Sequence, residues 1–123
     1  MCRLVTATFS ALILMGASAQ GQTKNCEVPL FHTADNQTVE GRMFVKAGKR
    51  CSVRMGVTIG GVSDPQVLKQ PKAGTATVGT YDIIYTPKKD FVGADEFTYA
   101  RHNIDRYGTK SLRTVNMKVE VRP

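Results

Sequence analysis

The chain has 123 residues, and its 17 Lys and Arg outnumber 10 Asp and Glu to give a formal net charge of +7. This length suits a single domain and excludes a large multidomain enzyme. A basic surface favours anionic partners such as cell-wall polymers, acidic polysaccharide or lipid headgroups. The alternative is a solvated basic surface that serves solubility alone.

Residues 1–19 have the pattern of a secretory signal peptide. One basic residue, Arg3, precedes an apolar run over 4–15, and small residues occupy 17–19. The apolar run is shorter than the roughly 20 residues that a membrane-spanning helix needs. We therefore predict cleavage after residue 19 and a single secreted or periplasmic domain over 20–123. An uncleaved anchor is the alternative.

Cleavage would remove Cys2 and leave two cysteines, Cys26 and Cys51. Because an exported protein meets an oxidising compartment, these two are expected to form a disulfide. A loop of this size should stabilise the fold by roughly 3 to 4 kcal/mol in the chain-entropy model. The alternative is a pair of buried thiols.

The first half of the mature chain predicts three short strands, over residues 26–31, 42–46 and 50–55. A loop over 32–41 separates the first two, and a turn over 47–49 separates the second from the third. Pro29 places the first strand at a sheet edge, because proline cannot donate to a central ladder. In the third strand the residues alternate between two faces. The core face has Cys51, Val53 and Met55, and the solvent face has Arg50, Ser52 and Arg54.

The second half begins with a glycine-rich turn over 56–64. It then predicts five strands, over residues 66–70, 75–79, 81–86, 96–101 and 112–121. The last strand has the clearest alternation, with apolar residues at Val115, Met117, Val119 and Val121. Several short strands, frequent turns and no convincing helical stretch predict an all-β sandwich with Greek-key connections.

A tight corner separates two of these strands. Its spacing, Tyr-x-Pro, then Phe-x-Gly-x-Asp-x-Phe-x-Tyr, uses Tyr85, Pro87, Phe91, Gly93, Asp95, Phe97 and Tyr99. This motif resembles the signature of bacterial immunoglobulin-like and cadherin-like sandwich domains, over roughly 45–121. The resemblance implies an immunoglobulin-like Greek-key β-sandwich of about seven strands, used for adhesion or spacing without chemistry of its own. The chain departs from antibody-type domains because it lacks tryptophan and its cysteine pair lies too early for the usual inter-sheet bridge.

The residue types of the corner suit a chain reversal. Pro87 ends strand pairing, and Gly93 and Asp95 are predicted to form the turn, with Gly93 at positive φ and Asp95 accepting hydrogen bonds from backbone N–H groups. Phe91 and Phe97 would anchor the rim in the core. An alternative assigns a calcium site to three acidic residues of the corner: Asp90, Asp95 and Glu96.

The sequence offers no catalytic constellation. His32 and His102 have no third metal ligand at short spacing, and there is no Cys-x-x-Cys motif. The pair Gly60-Gly61 lacks the lysine and the following helix of a phosphate-binding loop. We therefore predict a protein that is not an enzyme, with no metal and no cofactor.

The predicted function is a non-catalytic binding or structural module of the cell envelope. Its partner would be an anionic envelope polymer or another protein, and export argues against nucleic acid. If the fold brings them together, six basic residues form an anion-binding patch: Lys46, Lys49, Arg50, Arg54, Lys88 and Lys89.

Two alternatives remain from the sequence. The first is an inhibitor of an extracellular enzyme that inserts the basic loops at 46–50 or 88–89 into an acidic cleft. The second is a polysaccharide-binding accessory protein, for which the candidate aromatic residues are Tyr81, Tyr107 and Phe31.

Overall fold

A computed structural model describes residues 24–55 and 61–123 of the chain. The predicted leader, Cys2 and residues 56–60 of the glycine-rich turn lie outside the described residues. Within them the chain forms eight strands and no helix: β1 (Cys26–Glu27), β2 (Gln37–Lys46), β3 (Cys51–Arg54), β4 (Val62–Lys69), β5 (Gly74–Val78), β6 (Asp82–Pro87), β7 (Gly93–Ile104) and β8 (Lys110–Arg122). The described part of the chain contains no helix long and apolar enough to cross a membrane.

The strands form two sheets, which confirms the predicted all-β sandwich. One sheet has five strands in the order β1-β2-β8-β7-β4, and the other has three in the order β3-β6-β5. The chain crosses between the sheets after β2, β3, β4 and β6. Strands β2 and β8 are parallel, whereas the other paired strands are antiparallel.

The core lies between the sheets and follows the predicted alternation. From β8 it receives Val115, Met117, Val119 and Val121, each at most 3% exposed. Across the gap, the ring of Tyr85 in β6 stacks on that of Phe97 in β7 with centroids 5.8 Å apart. Because side chains of the two inner faces interdigitate, this layer excludes water and carries most of the hydrophobic stabilisation.

The prediction of a loop over 32–41 is wrong for residues 37–41, because β2 begins at Gln37. Ten residues of β2 pair in parallel with β8, and this pairing supplies hydrogen bonds that the polar sequence did not indicate. Inward positions of β2 include the half-buried Val39 and the buried Gly41. A Cβ atom at Gly41 would lie 3.0 Å from Cε of Met117, so glycine allows the methionine to pack there.

Two further strand boundaries differ from the predictions. The first strand keeps only Cys26–Glu27, and the chain over 28–33 leaves the sheet. Strand β4 begins at Val62 and includes Pro65, where a turn was predicted. It lies at the edge of its sheet, and its register shifts between Ser63 and Gln66, so the proline interrupts no central ladder.

The predicted disulfide between Cys26 and Cys51 is present. It joins β1 in the five-stranded sheet to β3 in the three-stranded sheet. The pair thus bridges the two sheets, and it does so between an edge strand of each. Even a two-residue strand is sufficient, because β1 pairs with the end of β2 and places Cys26 beside Val45.

Candidate functional site

The corner turns at a different residue from the one predicted. The tight turn lies over 88–91, where Phe91 N–H donates to the carbonyl of Lys88 at 3.1 Å and Asp90 has φ of 65°. Gly93 does have positive φ, at 140°, but it already begins β7. Asp tolerates the left-handed region better than most residues, which explains its position in the turn.

Asp95 is the polar centre of the corner. Its carboxylate accepts hydrogen bonds from the backbone N–H of Lys72, Ala73 and Glu96 at 2.9 to 3.0 Å, and from the hydroxyl of Tyr85 at 2.8 Å. Burial, together with the bond to Asp95, raises the pKa of Tyr85. One carboxylate thus links the connection before β5 to β6 and β7.

The acidic residues of the corner do not form a metal cluster. Both oxygens of Asp95 are occupied by donors, and Glu96 accepts from Nζ of Lys118 at 3.0 Å. Over the described ranges, no group of three or more His, Cys, Asp or Glu side chains could hold a metal ion. The other motif residues pack: Phe97 and Tyr99 are buried, Pro87 is buried at the end of β6, and Phe91 lies half-buried against the core.

Most of the predicted anion-binding residues lie at one end of the sandwich. Strand β2 ends and β3 begins there, and Lys88 N–H donates to the carbonyl of Ala73 at 2.8 Å, which brings the connection before β5 alongside the corner. Arg54 is the exception, because its register partner is Asp82 at the far end of β6. The structure adds Lys72. We define the basic end as Lys46, Lys49, Arg50, Lys72, Lys88 and Lys89.

The connections that form the basic end carry mainly positive charge. Its six side chains are exposed, and within the described chain none of them forms an ion pair. The three connections that carry them, over 46–50, 70–73 and 88–92, contain a single acidic residue, Asp90. The opposite end carries both signs, since it has Arg54, Arg106 and Lys110 as well as Asp64, Asp82 and Asp105.

The sequence analysis missed two arginines on the inner face of the five-stranded sheet. Arg101 in β7 and Arg113 in β8 are direct register partners. Arg101 is in phase with the buried Phe97 and Tyr99 and is only 4% exposed. Arg113 is likewise in phase with the apolar residues of β8. The alternation of the two strands was the signal that could have found both.

These arginines line a cavity of about 450 Å³ between β3, the inner face of β7 and β8, and the segment 28–33. We call it the arginine cavity, lined by Arg54, Arg101 and Arg113 together with His32, Thr33, Ser52, Tyr99 and the apolar Val28, Pro29, Leu30, Phe31 and Val53. Arg54 is thus the one predicted anion-binding residue that this cavity includes. No Asp or Glu is among its lining residues within the described chain.

The buried Arg101 and the half-buried Arg113 differ in their partners. Nε and Nη2 of Arg113 donate to Asp35 at 2.8 and 2.6 Å, and its Nη1 donates to Oγ1 of Thr33 at 3.0 Å. The Nη2 of Arg101 reaches the same Thr33 oxygen at 3.4 Å, whereas its buried Nη1 has no acceptor among the described residues. Burial lowers the pKa of Arg101, and the charge of Arg113 adds to that shift.

The aromatic residues of the polysaccharide alternative are dispersed. Tyr81 and Tyr107 are 71% and 82% exposed, and they lie in or beside turns at the end opposite the basic end. Phe31 is half-buried and lines the arginine cavity instead. A flat row of three aromatic residues is therefore not formed by these candidates.

No protein-family model matches the chain, and no curated protein matches its sequence. The functional proposal therefore rests on the fold, the distribution of charge and the cavity.

Proposed function

We propose that this protein is an exported, non-catalytic binding module of the cell envelope whose basic end contacts an anionic polymer. The observation that carries the proposal is the concentration of six exposed cations at one end of the sandwich, none of which forms an ion pair with another described residue. The connections that present them contain one acidic residue, whereas the opposite end mixes both signs. Net charge alone would not produce such polarity.

Export is supported by two independent features. The first 19 residues have the pattern of a leader, and the disulfide is of the kind that persists in oxidising compartments. The two-sheet architecture also agrees with the proposed resemblance to immunoglobulin-like and cadherin-like domains, which support adhesion and spacing. Sandwiches present their binding residues on loops that a rigid scaffold holds in place.

Hydrogen bonds hold the loops of the basic end in place, which favours contact with a polymer. Lys49 N–H donates to the carbonyl of Lys46 at 3.0 Å, and Asp95 accepts from the N–H of Lys72 at 3.0 Å. Each exposed lysine contributes little by itself, but a polyanion meets several of them at once. Such attraction weakens as salt shortens the Debye length from about 10 Å at 0.1 M to about 3 Å at 1 M.

The test compares two charge reversals of equal size. Lys88→Glu/Lys89→Glu alters the basic end, and Arg106→Glu/Lys110→Glu makes the same change in net charge at the opposite end. Retention on an anionic cell-envelope fraction is measured from 0.1 to 1 M salt. We expect retention to fall with salt and to fall much further with the first pair than with the second. Equal losses, or retention independent of salt, would refute a role for the basic end.

A further inference from the structure

The arginine cavity contains a buried cation that has no anionic partner in the described part of the chain. Arg101 is 4% exposed, its buried Nη1 has no acceptor among the described residues, and its one side-chain hydrogen bond, to Thr33, is long at 3.4 Å. Burial of an unpaired guanidinium is costly, and buried charges in proteins are usually paired. A group that supplies an acceptor here would remove that cost.

We propose that the arginine cavity binds a small apolar monocarboxylate whose carboxylate accepts hydrogen bonds from Arg101. The neighbouring arginine already has a carboxylate partner. Nε and Nη2 of Arg113 both donate to Oδ1 of Asp35, at 2.8 and 2.6 Å. Asp35 therefore neutralises Arg113, and Arg101 is left as a buried cation with no anionic partner among the described residues. Arg54 lines the cavity from its exposed side. A planar carboxylate with a single negative charge matches one guanidinium fork.

The other walls specify an apolar body for the ligand. Val28, Phe31 and Val53 line the cavity, and Leu30 beside them is 87% exposed. A ligand that covered Leu30 would remove apolar surface from water, which is favourable. The volume of about 450 Å³ lies within the range of roughly 300 to 1,000 Å³ that small-molecule sites occupy.

This site is separate from the basic end. Arg54 lines the cavity, yet its register position is at the opposite end of β3 from Arg50. The segment 28–33 follows β1, which the disulfide joins to β3, and Thr33 accepts hydrogen bonds from Arg101 and Arg113. This wall of the cavity is therefore held at both ends. A preformed wall of this kind reduces the entropy that a ligand loses on binding.

The first experiment measures binding of matched probes by calorimetry. 3-Phenylpropanoate and hexanoate are compared with their neutral amides and with hexyl phosphate. We expect each acid to bind roughly tenfold or more tightly than its amide, because the amide lacks the charge that Arg101 pairs with. Equal binding of acid and amide, or no binding of either acid, would overturn the proposal. Tighter binding of hexyl phosphate than of hexanoate would replace the carboxylate with a phosphate.

The second experiment uses Arg101→Met, with Arg106→Met as the control outside the cavity. Methionine has a similar length without the charge, so binding of 3-phenylpropanoate should be lost while the thermal midpoint of the free protein stays the same or rises. A purely structural arginine would give the reverse, a lowered midpoint in a protein that never bound the acid. Arg106→Met should leave binding unchanged.

A third measurement does not depend on any variant. In the wild-type protein, 3-phenylpropanoate should shift the NMR resonances of the Thr33 amide and of the Arg101 and Arg113 side chains. Shifts confined to Lys72, Lys88 and Lys89 would place the acid at the basic end and contradict the cavity. Failure of the envelope-retention test would leave this result unaffected, so the two proposals can fail separately.

Discussion

Removal of the Asp95 carboxylate should destabilise the domain more than any other single change at the corner. In Asp95→Ala the backbone N–H groups of Lys72, Ala73 and Glu96 and the hydroxyl of Tyr85 lose their acceptor. Tyr85 is fully buried, so water cannot replace the lost bond without opening the core. The N–H of Lys72 is exposed and can be rehydrated at little cost.

The magnitude follows from these differences in exposure. A hydrogen bond to a charged group contributes about 1.5 to 3 kcal/mol, and a buried group left without a partner costs about 1 to 3 kcal/mol. The Tyr85 hydroxyl and the Ala73 N–H count fully, whereas the exposed Lys72 N–H and the N–H of the adjacent residue Glu96 are discounted. We therefore expect a loss of about 3 to 5 kcal/mol in the free energy of unfolding. Domains of this size have about 5 to 15 kcal/mol in total.

The matched variant is Tyr85→Phe, which removes one of the bonds and keeps the ring that stacks on Phe97. It should cost about 1 to 2 kcal/mol, because the half-buried Asp95 keeps its backbone donors. The double variant should be less destabilised than the sum of the two single variants, by about the energy of the shared bond.

The assay is urea unfolding of the four proteins, with and without a chelator of divalent cations. The reasoning is refuted if Asp95→Ala unfolds within about 1 kcal/mol of the wild type, since that is no more than one ordinary hydrogen bond. A chelator should leave the wild-type midpoint unchanged. A drop would instead support the calcium alternative for Asp90, Asp95 and Glu96.

Two further predictions concern the disulfide and alkaline pH. Reduction of the Cys26–Cys51 bond should lower the free energy of unfolding by about 3 to 4 kcal/mol. Mass spectrometry of the non-reduced protein should find no free thiol, and alkylation of both cysteines in the folded, non-reduced protein would contradict the prediction. Burial raises the pKa of Tyr99 to about 12, so its contribution to the free energy of unfolding should be fully present below about pH 10 and fall by about 2 to 3 kcal/mol as the pH rises to 12. Tyr85, whose pKa is also raised, adds a loss of its own over this range. Tyr99→Phe should remove the Tyr99 part of the fall in urea midpoints measured from pH 9 to 12, and an equal fall in both proteins would contradict it.

Local alternation was sufficient to predict several strands and their buried faces. In β8 the apolar residues recur at every second position, and in β3 Cys51 and Val53 face the core while Ser52 and Arg54 face solvent. A strand has a side-chain period of two, so a short stretch of sequence indicates which residues share a face. The cysteine count likewise predicted the disulfide without any structural information.

Pairing between distant segments decided the strands that were missed. The polar start of β2 becomes a strand because it lies parallel to β8, and Gln37 and Arg113, its first register partners, are far apart in the chain. Pro65 fits in β4 because that strand is at a sheet edge. Neither the partner of a strand nor its place in a sheet can be derived from its own period.

The same division holds for the candidate sites. The sequence by itself determined that the protein is basic, that its cysteines pair and that a corner joins two strands. Only the tertiary structure decided that Arg54 lies apart from the basic end, that Lys72 belongs to it, and that Arg101 faces Arg113 inside a cavity. The physical reason is that charge and side-chain period are local properties of the chain. Whether an arginine on the inner face of a sheet pairs with a carboxylate depends instead on contacts between distant residues. The contact of Arg113 with Asp35 is an example, and only the folded chain brings these two residues together.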